Sequence, residues 1–146
     1  MSMDYLKSFA VSAAGMAVER TRVEVAAMNL ANANTVQDPA IAGFRPLRVI
    51  ARAGQAAPFA SMVESGLEAS TLPAASVEPL ELAPRLVQEP GHPLANEQGL
   101  VAYPAVDTAT EMVSMMSATR AYEANVAALN TARTLALRTL DIGRNT

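Results

Sequence analysis

Few side chains in this chain are equipped for chemistry. His92 is the only histidine. It stands in Glu89-Pro90-Gly91-His92-Pro93, where two prolines fix φ around a glycine, so the segment reads as a turn. A Ser-His-acid relay or a zinc centre needs partners converging on the imidazole, and the neighbouring sequence supplies none. Cysteine is absent, which excludes disulfides, thiolate metal ligands and thiol nucleophiles. Glu64, Glu68, Glu78, Glu81 and Glu89 lie in segments that read as exposed, whereas acid–base catalysis by carboxylates needs burial and a cleft. Asn29, Asn32 and Asn34 form a polar cluster, but calcium loops need carboxylates at set spacing and only Asp38 is near. No glycine-rich phosphate cradle is present. Tyr103 and Tyr122 read as packing residues. No catalytic residue, no cofactor and no metal ligand is assigned, so the inventory points away from an enzyme and toward binding or assembly.

Charge and hydropathy narrow the partners. The chain has 146 residues, room for one moderate domain or two small ones, and a net charge of −3. A nucleic-acid binder usually needs a basic face, so none is expected as a partner. No run approaches the roughly 18 uninterrupted apolar residues of a membrane span, so no stable membrane insertion is expected. Met1 to Ala14 lacks the basic start and continuous apolar core of a secretory leader, so any export is expected without a cleaved signal peptide. Apolar residues make up 51% of the chain but aromatics only 4%, and alanine carries much of the rest. Alanine removes little surface from water, so the core is expected to be modest.

The longest ordered pattern is Asp107 to Thr146, with no Gly or Pro between Pro104 and Gly143. A helix over most of it would be about 50 Å long. Thr108 and Glu111 are spaced as a capping box, and Gly143 with Arg138 and Arg144 is a stop signal. Met112, Met115, Tyr122, Val126, Leu129, Ala136 and Leu140 step by three and four, the heptad spacing that turns one seam toward a partner. Thr119 and Arg133 interrupt that seam. Two readings stay open: one helix of an ordinary bundle, or a helix that awaits neighbours from other chains.

Met3 to Ala33 repeats the pattern, with Phe9, Ala13, Met16, Val23, Ala27 and Leu30 on one seam and Arg20 filling a seam position. Gly15 gives up helix propensity and lets another backbone come close. The run Asn29 to Thr35 should end the helix, because asparagine side chains compete for backbone hydrogen bonds. Gly43 to Ile50 reads as an extended edge segment, Phe59 to Val63 as a short strand, Gly66 to Ser76 as a loop, and Val77 to Leu82 as a half-exposed strand. Arg85 to Gln88 is ambiguous, and Gly99 to Pro104 reads as a last strand. The expected fold is mainly α: long N- and C-terminal helices pairing as a coiled coil, antiparallel by economy, around a small Pro-rich β insert. The segments are 1–35, 36–106 and 107–146, forming one assembly-dependent unit.

Three motifs carry a resemblance. Asn29-Leu30-Ala31-Asn32-Ala33-Asn34-Thr35 followed by Gly43-Phe44-Arg45 resembles the N-terminal signature of the flagellar rod and hook axial family. Glu89-Pro90-Gly91-His92-Pro93-Leu94-Ala95 with Gly99-Leu100-Val101, and the short chain, resemble its proximal-rod members. Ala121-Tyr122-Glu123-Ala124-Asn125-Val126 with Leu129-Asn130-Thr131 resembles their C-terminal helix. Ala51 to Ser76 has no counterpart.

The resemblance implies a structural subunit of the basal-body rod, which crosses the periplasm and transmits torque for motility. It implies terminal helices that order on polymerisation into a helical shaft. The expected assembly interface is Leu6, Phe9, Met16, Val23, Leu30, Met112, Met115, Tyr122, Val126, Leu129 and Leu140. The implied partners are copies of itself, other proximal and distal rod proteins, an adaptor at the rod base next to the export gate, and the flagellar type III export apparatus, for which Leu6 and Phe9 are apolar handles. The competing readings are another rod or hook paralogue, and an autonomous helical adaptor or chaperone.

Overall fold

The computed structural model describes residues 2–41, 43–52 and 72–144, with side chains from Ser8 to Gly143. Six elements follow one another: α1 (Ser2–Asn32), β1 (Leu47–Arg52), β2 (Ala74–Pro79), β3 (Arg85–Gln88), β4 (Leu100–Tyr103) and α2 (Thr108–Arg144). Two long helices with a small stranded insert are the mainly α architecture expected. Phe59 to Val63 lies outside the described residues, as does the side chain of Leu6.

α1 ends at Asn32, inside the run Asn29 to Thr35 where the sequence places its end, and several other boundaries differ for local reasons. Asn32 turns its Nδ2 back to the Met28 carbonyl at 2.8 Å, supporting the last turn instead of competing with it. Ala74 to Ser76, expected as loop, belong to β2, and Leu80 to Leu82 fall beyond it. The Leu80 N–H donates to the Pro46 carbonyl at 2.7 Å, just outside the two-stranded sheet of β1 and β2. Gly143 lies inside α2, which runs to Arg144. Threonines are tolerated within the long helices because Thr21, Thr131, Thr134 and Thr139 each donate their hydroxyl to the carbonyl four residues back.

The chain divides into two compact units. One comprises residues 1–21, 51–76 and 118–146. In it Gly15 of α1 faces Asn125 of α2 so closely that an added Cβ would stand 3.0 Å from Asn125 Nδ2. The sequence expectation at Gly15 was a close approach of backbone; here the neighbour is an amide side chain. The other unit comprises 22–50 and 77–117. Its antiparallel hairpin sets Arg85 opposite Tyr103, Leu86 opposite Ala102, Val87 opposite Val101 and Gln88 opposite Leu100. On the far side of β4, Gln37 exchanges both backbone hydrogen bonds with Ala102, at 2.8 and 3.0 Å. Val101 and Ala102 are thereby buried.

Among the described residues, the buried apolar side chains are valine and alanine (Val18, Val25, Ala26, Ala33, Val101, Ala102 and Ala118), with Pro46 and Pro104. Each contributes less transfer free energy than a buried Leu or Phe. The hairpin loop compensates with polar order. Asn96 Oδ1 accepts from the N–H groups of Gln98 and Leu100, at 3.0 and 2.9 Å, and the Asn96 N–H donates to the Leu100 carbonyl at 2.9 Å. Gly99 closes the loop at φ +73°, and a Cβ there would meet Pro90 Cβ at 3.0 Å. Gly99→Ala is therefore expected to cost about 1–2 kcal/mol, seen as a lower urea midpoint at unchanged slope. Gly91→Ala, whose methyl would meet nothing within 4 Å, is expected to leave the midpoint unchanged. Equal midpoints for the two variants would contradict this account.

Candidate functional site

No cluster for catalysis forms around His92. Its Nδ1 accepts the Leu94 N–H at 3.1 Å, and its backbone N–H donates to the Glu89 carbonyl at 3.0 Å, so the imidazole serves the turn. Glu89 in turn accepts from the Tyr103 hydroxyl at 2.9 Å, and Arg85 lies 5.2 Å from the Tyr103 ring centre. The bond to Glu89, with burial and the carboxylate charge adding to it, raises the Tyr103 pKa above the usual phenol value, so this hydroxyl is a weaker acid than a free phenol. Among the described residues no group of His, Asp or Glu side chains is arranged to hold a metal ion. None of their helices is long and apolar enough to cross a membrane.

The polar chemistry of the molecule centres on Asn29. Its side chain has no exposed surface. Its Oδ1 accepts the Leu47 N–H at 2.8 Å and its Nδ2 donates to the Leu47 carbonyl at 2.8 Å. The second Nδ2 proton goes to Glu111 Oε1 at 2.9 Å. One amide thus pairs with a strand residue as a neighbouring strand would, and reaches the first turn of α2 as well. Glu111 is consequently not half of a capping box with Thr108. The cap is Asp107, whose Oδ1 accepts the Ala109 N–H at 3.2 Å and whose other oxygen accepts the Thr110 hydroxyl. Those bonds, the Thr110 hydroxyl first, hold the Asp107 carboxyl below its ordinary value of 3.8.

The helix faces differ from the heptads read off the sequence. Along α2 the covered line runs through Glu111, Met115, Ala118, Asn125, Leu129, Ala132 and Ala136. One set of seam positions sits one residue earlier than expected, which leaves Met112, Thr119, Arg133 and Leu140 exposed, while Val126 is half-buried like Asn125. The shift explains why Thr119 and Arg133 seemed to break the seam: they lie outside it. Along α1 the buried positions are Val18, Val25, Ala26 and Asn29, while Ala13, Arg20 and Ala27 are exposed. Small residues occupy the closest approach and large ones the flanks.

Of the expected interface residues, Phe9, Met16, Val23, Leu30, Met115, Val126 and Leu129 are half-buried. Met112, Tyr122 and Leu140 are exposed, at 52%, 39% and 70% of their surface. Val113, Met116, Leu135, Leu137 and Ile142 of α2 are exposed too. Of the motif residues, Asn29 is the buried hub and Asn125 is the amide against Gly15. Leu30 and Asn32 are half-buried, while Ala31, Pro90, Gly91 and Asn130 are exposed. Gly43 is overlain by the Gln37 side chain, and Phe44 is half-buried beside it. Sequence reasoning missed Asp107, Leu47, Asn96 and the true partner of Glu111. Asp107 followed by Thr108 and Thr110 was a legible cap signal; the long-range pairing of Asn29 left none.

Comparison with known proteins places this geometry. The family model described as "Flagellar basal body rod FlgEFG protein C-terminal" matches residues 97–142. The chain is 38% identical over 142 residues to the flagellar basal-body rod protein FlgC of Salmonella typhimurium strain LT2, covering 97% of this chain and all of that one. It is 32% identical over 150 residues to FlgC of Bacillus subtilis strain 168, again 97% and 100% covered. The FlgC of Borreliella burgdorferi is 29% identical over 143 residues, with 91% and 93% covered.

Removing the Asn29 amide leaves the part-buried Leu47 N–H and carbonyl without these partners. Asn29→Ala is expected to cost about 2 kcal/mol or more in urea unfolding. Asn29→Asp is expected to be at least as damaging at neutral pH, since it places a carboxylate against Glu111. The Asp107 cap has a lowered pKa, so its contribution is present above the ordinary value of 3.8 and is lost as pH falls through the folded value. The start of α2 is expected to fray below that range, followed by far-UV circular dichroism or amide NMR, and Asp107→Asn is expected to abolish this acid dependence.

Proposed function

This chain belongs to the FlgC family of flagellar basal-body rod proteins, and from that premise we propose how it builds the rod. It is a structural subunit of the basal body and not an enzyme. Its two terminal helices are the polymerising surfaces, pairing as coiled coils with copies of itself and with other proximal and distal rod proteins to form a helical shaft that carries torque. One observation supports this above others: α2 keeps Ala118, Asn125 and Ala132 covered and leaves Met112, Met116, Leu137 and Leu140 outside. A helix with large apolar groups away from its own seam gains little from folding alone and much from neighbours.

The contacts are heterologous in this reading, because a head-to-tail contact that does not close generates a helical tube. Assembly takes place where the rod crosses the periplasm, with an adaptor at the rod base as the first partner. Delivery is through the flagellar type III export apparatus, with Leu6 and Phe9 as apolar handles. A subunit with a slender Val and Ala core is suited to such delivery, since it unfolds at low cost. The segments 1–35, 36–106 and 107–146 then act as one assembly-dependent unit.

Leu140→Asp tests the surface most cleanly, because this side chain is already exposed in the subunit. It is expected to leave the purified protein folded and to abolish both rod incorporation and swimming. Leu129→Asp, half-buried in the subunit, is expected to abolish incorporation as well. A motile strain carrying either change as its sole copy would overturn the reading.

A further inference from the structure

The chain has no cysteine and no tryptophan, so the thioethers of its eight methionines are its most readily oxidised side chains. Five of them have described side chains, and these differ in access. Met28, Met112 and Met116 are exposed, at 44%, 52% and 55% of their surface, whereas Met16 and Met115 are half-buried. Met112 and Met116 stand four residues apart near the start of α2, which makes them neighbours on one face of that helix. Val113, exposed as well, extends the apolar surface around them. A thioether is flexible and polarizable, so it packs well against an irregular partner surface. The same sulfur atom is open to oxidants for as long as no partner covers it.

We propose that Met112 and Met116 form a paired oxidation site, and that their oxidation bars the free subunit from the rod. The co-reactant is a peroxide. The thioether sulfur takes up one oxygen atom as the O–O bond breaks. The sulfur is oxidised by two electrons, the peroxide is reduced by two, and hydrogen peroxide leaves as water. The product is a sulfoxide, polar and chiral where the thioether was apolar. On a free subunit water meets the new dipole, so the fold is unaffected. On a helix face covered by a neighbour, the sulfoxide oxygen must find a donor or stay unbonded at a cost. Two such groups on one face compound that cost, whereas Met28 stands singly on α1. The proposal rests on the rod-subunit reading above, in which the open face of α2 is covered only on incorporation.

The purified subunit and purified basal bodies are given the same graded doses of hydrogen peroxide and digested for mass spectrometry. In the free subunit, sulfoxide is expected at positions 112 and 116 at doses that leave Met16 and Met115 mostly unmodified. In basal bodies, positions 112 and 116 are expected to be protected. Equal oxidation of these two positions in both samples would overturn the proposal. The effect on assembly is read in strains carrying one version as sole copy. Met112→Leu with Met116→Leu removes both sulfur atoms at similar volume and is expected to incorporate and swim like wild type. Met112→Gln with Met116→Gln, polar as the sulfoxide is, is expected to fold, as circular dichroism checks, and to incorporate about tenfold less. Wild-type incorporation of the Gln pair would also overturn it. Wild-type basal bodies that lack the chain altogether would overturn the rod reading itself, an outcome distinct from these.

Discussion

An asparagine amide in the last turn of α1 holds three segments that are far apart in sequence. Asn29 occupies both backbone groups of Leu47 and one oxygen of Glu111. A buried polar side chain is costly unless every donor and acceptor is used, and here each is. The same arithmetic makes the arrangement specific. An apolar residue at position 29 would gain transfer energy yet leave the first residue of β1 with a part-buried N–H and carbonyl that have lost their partner. The position of β1 beside α1, and of the first turn of α2, therefore follows from one amide with two donors and one acceptor.

The surrounding packing explains why so much rests there. A core of valine and alanine supplies little driving force per residue. The hairpin adds order through Asn96 and Gly99, and the far edge of β4 is closed by Gln37. These are hydrogen-bonded devices, each of modest net value. They give the unit of residues 22–50 and 77–117 a defined shape without the volume of large apolar side chains. Several large apolar side chains of α2, among them Met112, Met116, Leu137 and Leu140, stand with their surfaces open.

Much of this was legible from residue order. Two long helices follow from uninterrupted stretches flanked by Pro104 and by the asparagine run, and the last strand follows from Gly99 to Tyr103. The motifs around Asn29, Pro90 and Tyr122 were readable as belonging to the flagellar rod and hook family. What the sequence concealed was the face of each helix that turns inward. Periodicity weights large apolar residues, so it selected Met112 and Leu140, which are exposed, whereas the covered line also uses Ala118, Asn125 and Ala132. Glu111 was misassigned for a related reason: a local capping box and a long-range bond to Asn29 use the same carboxylate, and spacing reports only the local option. Position 125 needed the opposing Gly15 to be understood, and that pairing is tertiary.

The slender core has a thermodynamic corollary. Where neighbours bind only the folded form, they stabilise it by mass action in proportion to the logarithm of their concentration over their dissociation constant. A subunit with a deep core would gain the same increment as a small fraction of its total stability. In one whose buried apolar residues are small, the same increment is a larger share. Its melting temperature is then a property of the lattice position it occupies, low at a growing tip and higher once every flank is covered.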